Sequence, residues 1–419
     1  MNKVIYPSKI SGSVKAPASK SFMQRAIALS VLAKDETLIQ NPSHCDDALA
    51  GLNIASAFGC DVYDNGNFIS IIPSNFSAPK QLHCGESGLA IRLFTPIAAL
   101  FSNEIELLAE SSLLKRPADF MTEPMKQLGV FISTNNGFPP IKIKGPIKPG
   151  TAWMDGSLSS QFLSGLLISL PLANGDSLLK VDNLMSIPYV EMTLKAIESF
   201  GGIIENHDFK EFYIKGNQAY SAGKYLIEGD WSGAAGLLVA GAIAGNIQVE
   251  LLQSGSSQAD YAVLEAIKQT GATIVSKDDT WVVTKPEKPT SFEFDALHCP
   301  DLFPVLTALA ANCQGTSSIK GVHRLIHKES NRGEALKQEF NKIGIRIDFE
   351  EDKMYITGGK INGGKVFAHN DHRIAMALSL AALNASAPII IEGAECVNKT
   401  YPEFYADMMS LGVKMDSIN

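Results

Sequence analysis

The chain has 419 residues, 45% of them hydrophobic and 19% charged, and its 36 Lys and Arg against 44 Asp and Glu leave a net charge of -8. So apolar a chain folds rather than staying disordered, and its acidic balance excludes a general nucleic-acid or anionic-membrane surface, both of which need a basic field. Six cysteines without a CxxC fit reduced, buried thiols in a cytoplasmic protein better than a disulfide framework.

The first segment, MNKVIYPSKISG, has no apolar core of the secretory type and reads as a strand over 3–10. Six apolar helices follow, starting near Lys20, Ser87, Ser159, Asp230, Asp301 and Asp371, at intervals of 67 to 72 residues. SKSFMQRAIALSVLA and DHRIAMALSLAAL are examples, apolar nearly all round, as helices inside a domain are. The most apolar stretch, Ala234 to Gly245, is 12 residues long and too short to cross a bilayer.

A second phrase recurs in the same frame: a helical tail, a glycine, then alternating apolar residues. It reads IASAFGCDV, MKQLGVFI, AIESFGGII, AIKQTGATI, FNKIGIRI and MMSLGVKM, with glycines at 59, 129, 201, 271, 344 and 412. Glycine suits the left-handed position that ends a helix. Each module is thus predicted as strand, buried helix, strand, second helix, strand, used six times. Six modules make one solenoid or two domains of three. Two domains are favoured because a single core stops growing near ~250 residues. The segment 217–229 separates the third module from the fourth.

Charged and hydroxyl residues gather at the starts of the buried helices: Lys20, Ser21 and Arg25; Gly88 and Arg92; Ser159, Ser160 and Gln161; Asp301; Asp371, His372 and Arg373. Serine and aspartate there serve as N-caps. Lys20, Arg25 and Arg373 offer no acceptor and oppose the helix dipole, so a bound phosphate or carboxylate is expected to offset them. LLKRPADF sets Lys115 and Arg116 before Pro117, read as helix-opening; HKESNR groups Lys328, Glu329 and Arg332, with Lys328 and Arg332 at helical i, i+4 spacing. SVKAPASKS fails as a phosphate-binding P-loop, because Ser19 stands where glycine is required. Three His-Cys neighbour pairs cannot chelate one ion from a strand. No metal and no cofactor are expected.

The phrases APASKSFMQRA, CGESGLAIR, LLKRP, SSQFLSGLL, SIPYVEMTL, CPD, HKESNR, NDHRIAMALS and NKTYPEF, in this order over about residues 8 to 410, make the chain resemble the 5-enolpyruvylshikimate-3-phosphate (EPSP) synthase family. The resemblance implies an α/β enolpyruvyl transferase fold: two domains, each of three βαβαββ modules with buried helices, an inside-out α/β barrel. The N-terminal strand then belongs with the C-terminal half, giving domains 13–226 and 1–12 plus 227–419. It also implies transfer of the enolpyruvyl group of phosphoenolpyruvate to the 5-hydroxyl of shikimate 3-phosphate, releasing phosphate, in chorismate and aromatic amino acid biosynthesis. By motif match, Lys20, Gly88, Arg116, Gln161, Arg332, Arg373 and Lys399 would hold phosphoenolpyruvate. Lys20, Ser21, Arg25, Ser159, Ser160, Gln161, Ser186, Tyr189, Asp301 and Lys328 would hold shikimate 3-phosphate. Asp301 would be the base for the 5-hydroxyl, with Lys20 and Glu329 moving protons at the methylene carbon. A cytoplasmic monomer is expected.

Departures from the family pattern are Ala18, Glu86, Leu89, Ile187 and Asn331, standing for its glycine, asparagine, threonine, lysine and aspartate. Glu86 is expected to pair with Lys20 or Arg116 and to weaken the inhibitor glyphosate. The sister transferase acting on UDP-N-acetylglucosamine carries a reactive cysteine in the loop corresponding to Ser111–Arg116, and SSLLKR has none. An inactive anion-binding paralogue is disfavoured by Lys20, Asp301, Glu329 and Arg373.

Overall fold

The computed structural model describes residues 1–326 and 328–418. The chain forms two compact units, a continuous one, Lys20–Ile227, and a discontinuous one, Met1–Ser19 with Glu228–Asn419. Its helices are α1 (Lys20–Leu32), α2 (Asp46–Ala57), α3 (Gly88–Ala98), α4 (Thr122–Gln127), α5 (Ser160–Ser169), α6 (Ile187–Ser199), α7 (Trp231–Ala244), α8 (Val263–Gln269), α9 (Phe303–Ala311), α10 (Arg332–Lys342), α11 (His372–Ala382) and α12 (Phe404–Ser410).

The odd-numbered helices are the six apolar ones, and each is buried on nearly every side. Most even-numbered helices bury one stripe. In α10, Arg332, Ala335, Leu336, Glu339 and Phe340 are buried at i, i+3, i+4, i+7 and i+8, the spacing of one helix face. The recurring glycines follow these helices with φ from 71° at Gly129 to 103° at Gly412, a conformation that costs other residues ~1–2 kcal/mol.

Among the described residues the strands form six four-stranded sheets, three in each unit. Each of the first five modules carries two antiparallel strands after its second helix, one more than the hydrophobic pattern resolved, and the sixth carries one. In the second module Gln81–His83 lies parallel to Glu104–Leu108, which pairs antiparallel with Phe138–Lys144, itself antiparallel to Phe131–Asn135. Three modules borrow a strand. Ile10–Lys15 precedes α1 yet pairs with Gly245–Glu250 of the fourth module, while Lys224–Leu226 precedes α7 and pairs with Thr37–Gln40 of the first. Asn2–Ile5 completes the sixth sheet between Ile389–Glu392 and Met415–Ile418. The expected boundary after residue 12 cuts a strand that keeps its register to Lys15, so the discontinuous unit extends to Ser19, and the second boundary follows Ile227.

Candidate active site

In the continuous unit, hydrogen bonds tie together the N-terminal ends of the buried helices. Ser87 caps α3 through Ala90 N and also accepts from Gln24 Nε2 of α1 at 2.8 Å. Ser159 caps α5 through Gln161 N, while Gln161 Oε1 accepts from Arg92 Nη1 of α3 at 2.8 Å. Arg25 of α1 reaches Ser164 of α5 at 3.4 Å. The free N–H ends of three helices are therefore neighbours, which concentrates positive potential.

Two cationic clusters sit on this platform. Lys20 Nζ pairs with Asp47 Oδ2 at 2.9 Å, and Gln24 donates to the Asp47 carbonyl. Arg116 lies against Gly88: a Cβ there would stand 2.6 Å from its Nη1 and 3.0 Å from its Cζ. The second cluster centres on Arg25, which is buried (1% exposed) and donates to Thr193 Oγ1, Ser21 O, Ser164 Oγ and Tyr189 O. Burial lowers its pKa to about 10. Ser160 O accepts from Ser164, and Ser186 opens α6 in the left-handed conformation at φ 57°. A non-glycine residue held there points to a constrained position. Glu86 Oε2 accepts from Ser112 Oγ at 3.2 Å, a partner outside the expected pair.

In the discontinuous unit the predicted residues converge on one carboxylate. Asp301 Oδ1 meets Lys328 Nζ at 3.0 Å and Arg332 Nη1 at 2.7 Å, and Oδ2 meets Arg373 Nη2 at 3.4 Å. Burial pushes this carboxyl up, but Arg373, Lys328 and Arg332 outweigh it and hold the group well below the usual carboxylate range. Its side chain is 24% exposed, so it faces solvent in part. Arg332, 1% exposed, also pairs with Asp371 at 2.8 Å and with Glu329, and Lys399 Nζ stands 3.9 Å from Glu329. Burial works against the charge of Arg332, and Asp371, Glu329 and Asp301 more than restore it. Burial lowers the pKa of Lys328.

Several expectations change. Asp301 lies in a 3-10 turn, Pro300–Leu302, with α9 starting at Phe303, so it is not an N-cap. Asp230 and Asp371 are caps, of α7 and α11. Pro117 opens no helix, because a second 3-10 turn, Asp119–Met121, precedes α4. Lys328 precedes α10, so it meets Arg332 through their shared Asp301 rather than by helical spacing. Carboxylates also meet two of the three cations assigned to an external anion: Asp47 at Lys20 and Asp301 at Arg373. Arg25 alone of the three makes no ion pair among the described residues. Asp47 and Thr193 lie outside the residues that the sequence marks, and Asp371, marked there only by its helix start, joins the site by pairing with Arg332; the doublet Asp46–Asp47 is the one sequence signal for Asp47.

Asp260 is a further member. It is 1% exposed, and burial first, then Asp301 and Asp230, raise its pKa to about 6 against the lowering pull of Arg373 and Ser232. A folded-state pKa above the unfolded value favours the protonated folded form, so this group's contribution is present below pH ~4 and is lost as pH rises through about 6. Asp260→Asn should therefore stabilise the protein at pH 7, by on the order of 3 kcal/mol, and change little at pH 4. Thermal melts at the two pH values measure this; equal shifts at both would refute it.

The fold is that of the enolpyruvyl transferases. It superposes on EPSP synthase of Acinetobacter baumannii with a TM-score of 0.84 at 24% identity, covering 99% of this chain and 100% of that one. The enolpyruvyl transferase NikO of Streptomyces tendae gives 0.79 at 16% identity, covering 99% and 98%. The family model for EPSP synthase (3-phosphoshikimate 1-carboxyvinyltransferase) matches residues 4–408. The 3-phosphoshikimate 1-carboxyvinyltransferases of Clostridium beijerinckii and Clostridium kluyveri are 35% and 37% identical, covering 100% and 98% of this chain and 99% and 97% of theirs. The chain belongs to the EPSP synthase family. Its activity is the family's, enolpyruvyl transfer to shikimate 3-phosphate in aromatic amino acid biosynthesis.

Proposed function

We propose that the two units are the enzyme's two domains and that the clusters at their helix starts are its substrate sites. Lys20, Gly88, Arg116 and Gln161 of the continuous unit, and Arg332, Arg373 and Lys399 of the discontinuous one, hold phosphoenolpyruvate. Lys20, Ser21, Arg25, Ser159, Ser160, Gln161, Ser186 and Tyr189, with Asp301 and Lys328, hold shikimate 3-phosphate. Asp301 takes the 5-hydroxyl proton as that oxygen attacks C2 of phosphoenolpyruvate. Lys20 or Glu329 delivers a proton to the methylene carbon; the resulting tetrahedral adduct loses phosphate, the methyl proton returns to the same group, and the hydroxyl proton passes from Asp301 to the departing phosphate or to solvent.

The observation that carries this reading is the meeting of Lys328, Arg332 and Arg373 on Asp301. So strongly held a carboxylate is a weak base as it stands. Anionic substrates that draw those cations away would raise its basicity when the 5-hydroxyl arrives. Phosphate release from phosphoenolpyruvate tests the function: it should require added shikimate 3-phosphate. Release with UDP-N-acetylglucosamine instead, or no release, would overturn it.

Gly88 gives a sharper check of the phosphoenolpyruvate half. Gly88→Ala places a methyl against the Arg116 guanidinium, which must move. The KM for phosphoenolpyruvate should rise by about ten-fold, while that for shikimate 3-phosphate stays near its original value. An unaltered phosphoenolpyruvate KM would remove Arg116 from that site.

The protein is proposed to work in the cytoplasm as a monomer. All six cysteines are free thiols, which supports a reducing compartment. Each unit closes its own core. Light scattering at working concentration checks the oligomeric state; a dimer mass would refute it.

A further inference from the structure

We propose that Thr193, in the middle of α6, is a positioning residue that fixes the plane of the Arg25 guanidinium for shikimate 3-phosphate. This rests on the reading of Arg25 given above. Thr193 is fully buried and touches no solvent. Its Oγ1 accepts from Arg25 Nε at 2.8 Å and lies 2.7 Å from Ser164 Oγ and 2.9 Å from Tyr189 O. Tyr189 O, one helical turn earlier, accepts from Arg25 Nη2 at 2.9 Å. One face of α6 therefore grips a whole edge of the guanidinium, Nε through a hydroxyl and Nη2 through a carbonyl.

A guanidinium has five N–H donors in one plane. Thr193, Tyr189 O, Ser164 Oγ and Ser21 O engage four of them, which leaves one N–H on Nη1. Every partner is neutral, so the positive charge stays uncompensated within the unit and its burial lowers the pKa. That is a costly arrangement unless an anion completes it. The Nε bond removes rotation about the last side-chain torsion. Without it, the remaining donor loses its direction and the buried Nε–H loses its acceptor.

The Michaelis constants of three variants test this: Thr193→Val, which keeps volume and removes the acceptor; Thr193→Ser, which keeps the hydroxyl; and Arg25→Gln. Thr193→Val should raise the KM for shikimate 3-phosphate about ten-fold with kcat and the phosphoenolpyruvate KM little changed, the signature of lost uniform binding. Thr193→Ser should retain the original values. Where the buried valine prevents folding, Thr193→Ala reads the same split. If Arg25→Gln raises the shikimate 3-phosphate KM but Thr193→Val does not, the positioning role falls and the Arg25 assignment stands. If Arg25→Gln changes nothing, that assignment falls and takes this one with it. Equal losses in both KM values and kcat, shared by Thr193→Ser, would mark Thr193 as structural and overturn the proposal.

Discussion

Replacing Asp301 by Asn should lower turnover by ~10²–10⁴-fold, the usual worth of a general base, and leave the fold in place. The change removes one proton acceptor and one counter-charge. Arg332 keeps Asp371 and Glu329, so the cluster retains its frame. Turnover with both substrates saturating, beside a thermal melt, measures the two effects separately. Unchanged turnover would sink the assignment of Asp301. The pH profile adds a second reading. In the free protein Asp301 is held well below its ordinary range, so kcat/KM should show no acid limb from this group above pH ~4. If substrates draw off its cations, the limb in kcat moves to higher pH.

Replacing Arg332 by Met is the largest stability change expected of the site. The guanidinium serves three carboxylates, Asp301, Asp371 and Glu329, and two of the pairs are almost wholly out of solvent. Its removal leaves like charges facing each other, a loss of ~3–5 kcal/mol. Trp231 and Trp281 are buried in the same unit, so the denaturant transition read by tryptophan fluorescence follows it. The deficit should shrink as pH falls, because protonation relieves the exposed repulsion. In the parent protein the sign is opposite: Asp301, with its folded pKa depressed, contributes stability above pH ~4 that is lost as pH drops. A transition midpoint equal to the parent's at pH 7 would refute this.

How far the sequence revealed this architecture depended on range. The six glycines after helices and the six apolar helices are local signals, and each is found in the structure near its predicted place. Strand exchange was less legible. A strand as short as Lys224–Leu226 carries no mark of its partner, and pairing with Thr37–Gln40 is decided by packing across some 190 residues. The site follows the same division. Lys20 and Arg373 were conspicuous because a cation at a helix start lacks a local reason. That Asp47 and Asp301 neutralise them in the folded chain depends on approaches over 27 and 72 residues. Thr193 was invisible, since a threonine within a helix reads as ordinary packing until a buried guanidinium is seen beside it.

The borrowed strands also set an order on biogenesis. Ile10–Lys15 leaves the ribosome 235 residues ahead of Gly245–Glu250, and Asn2–Ile5 waits longer still for Met415–Ile418. At ~5–20 residues per second the first segment spends roughly ten seconds or more without its sheet. Meanwhile Lys20–Ile227 has every strand it requires and is free to fold on emergence. Residues 2–15 thus hold β-segments that stay unpaired, tethered to a finished unit, until their partners emerge.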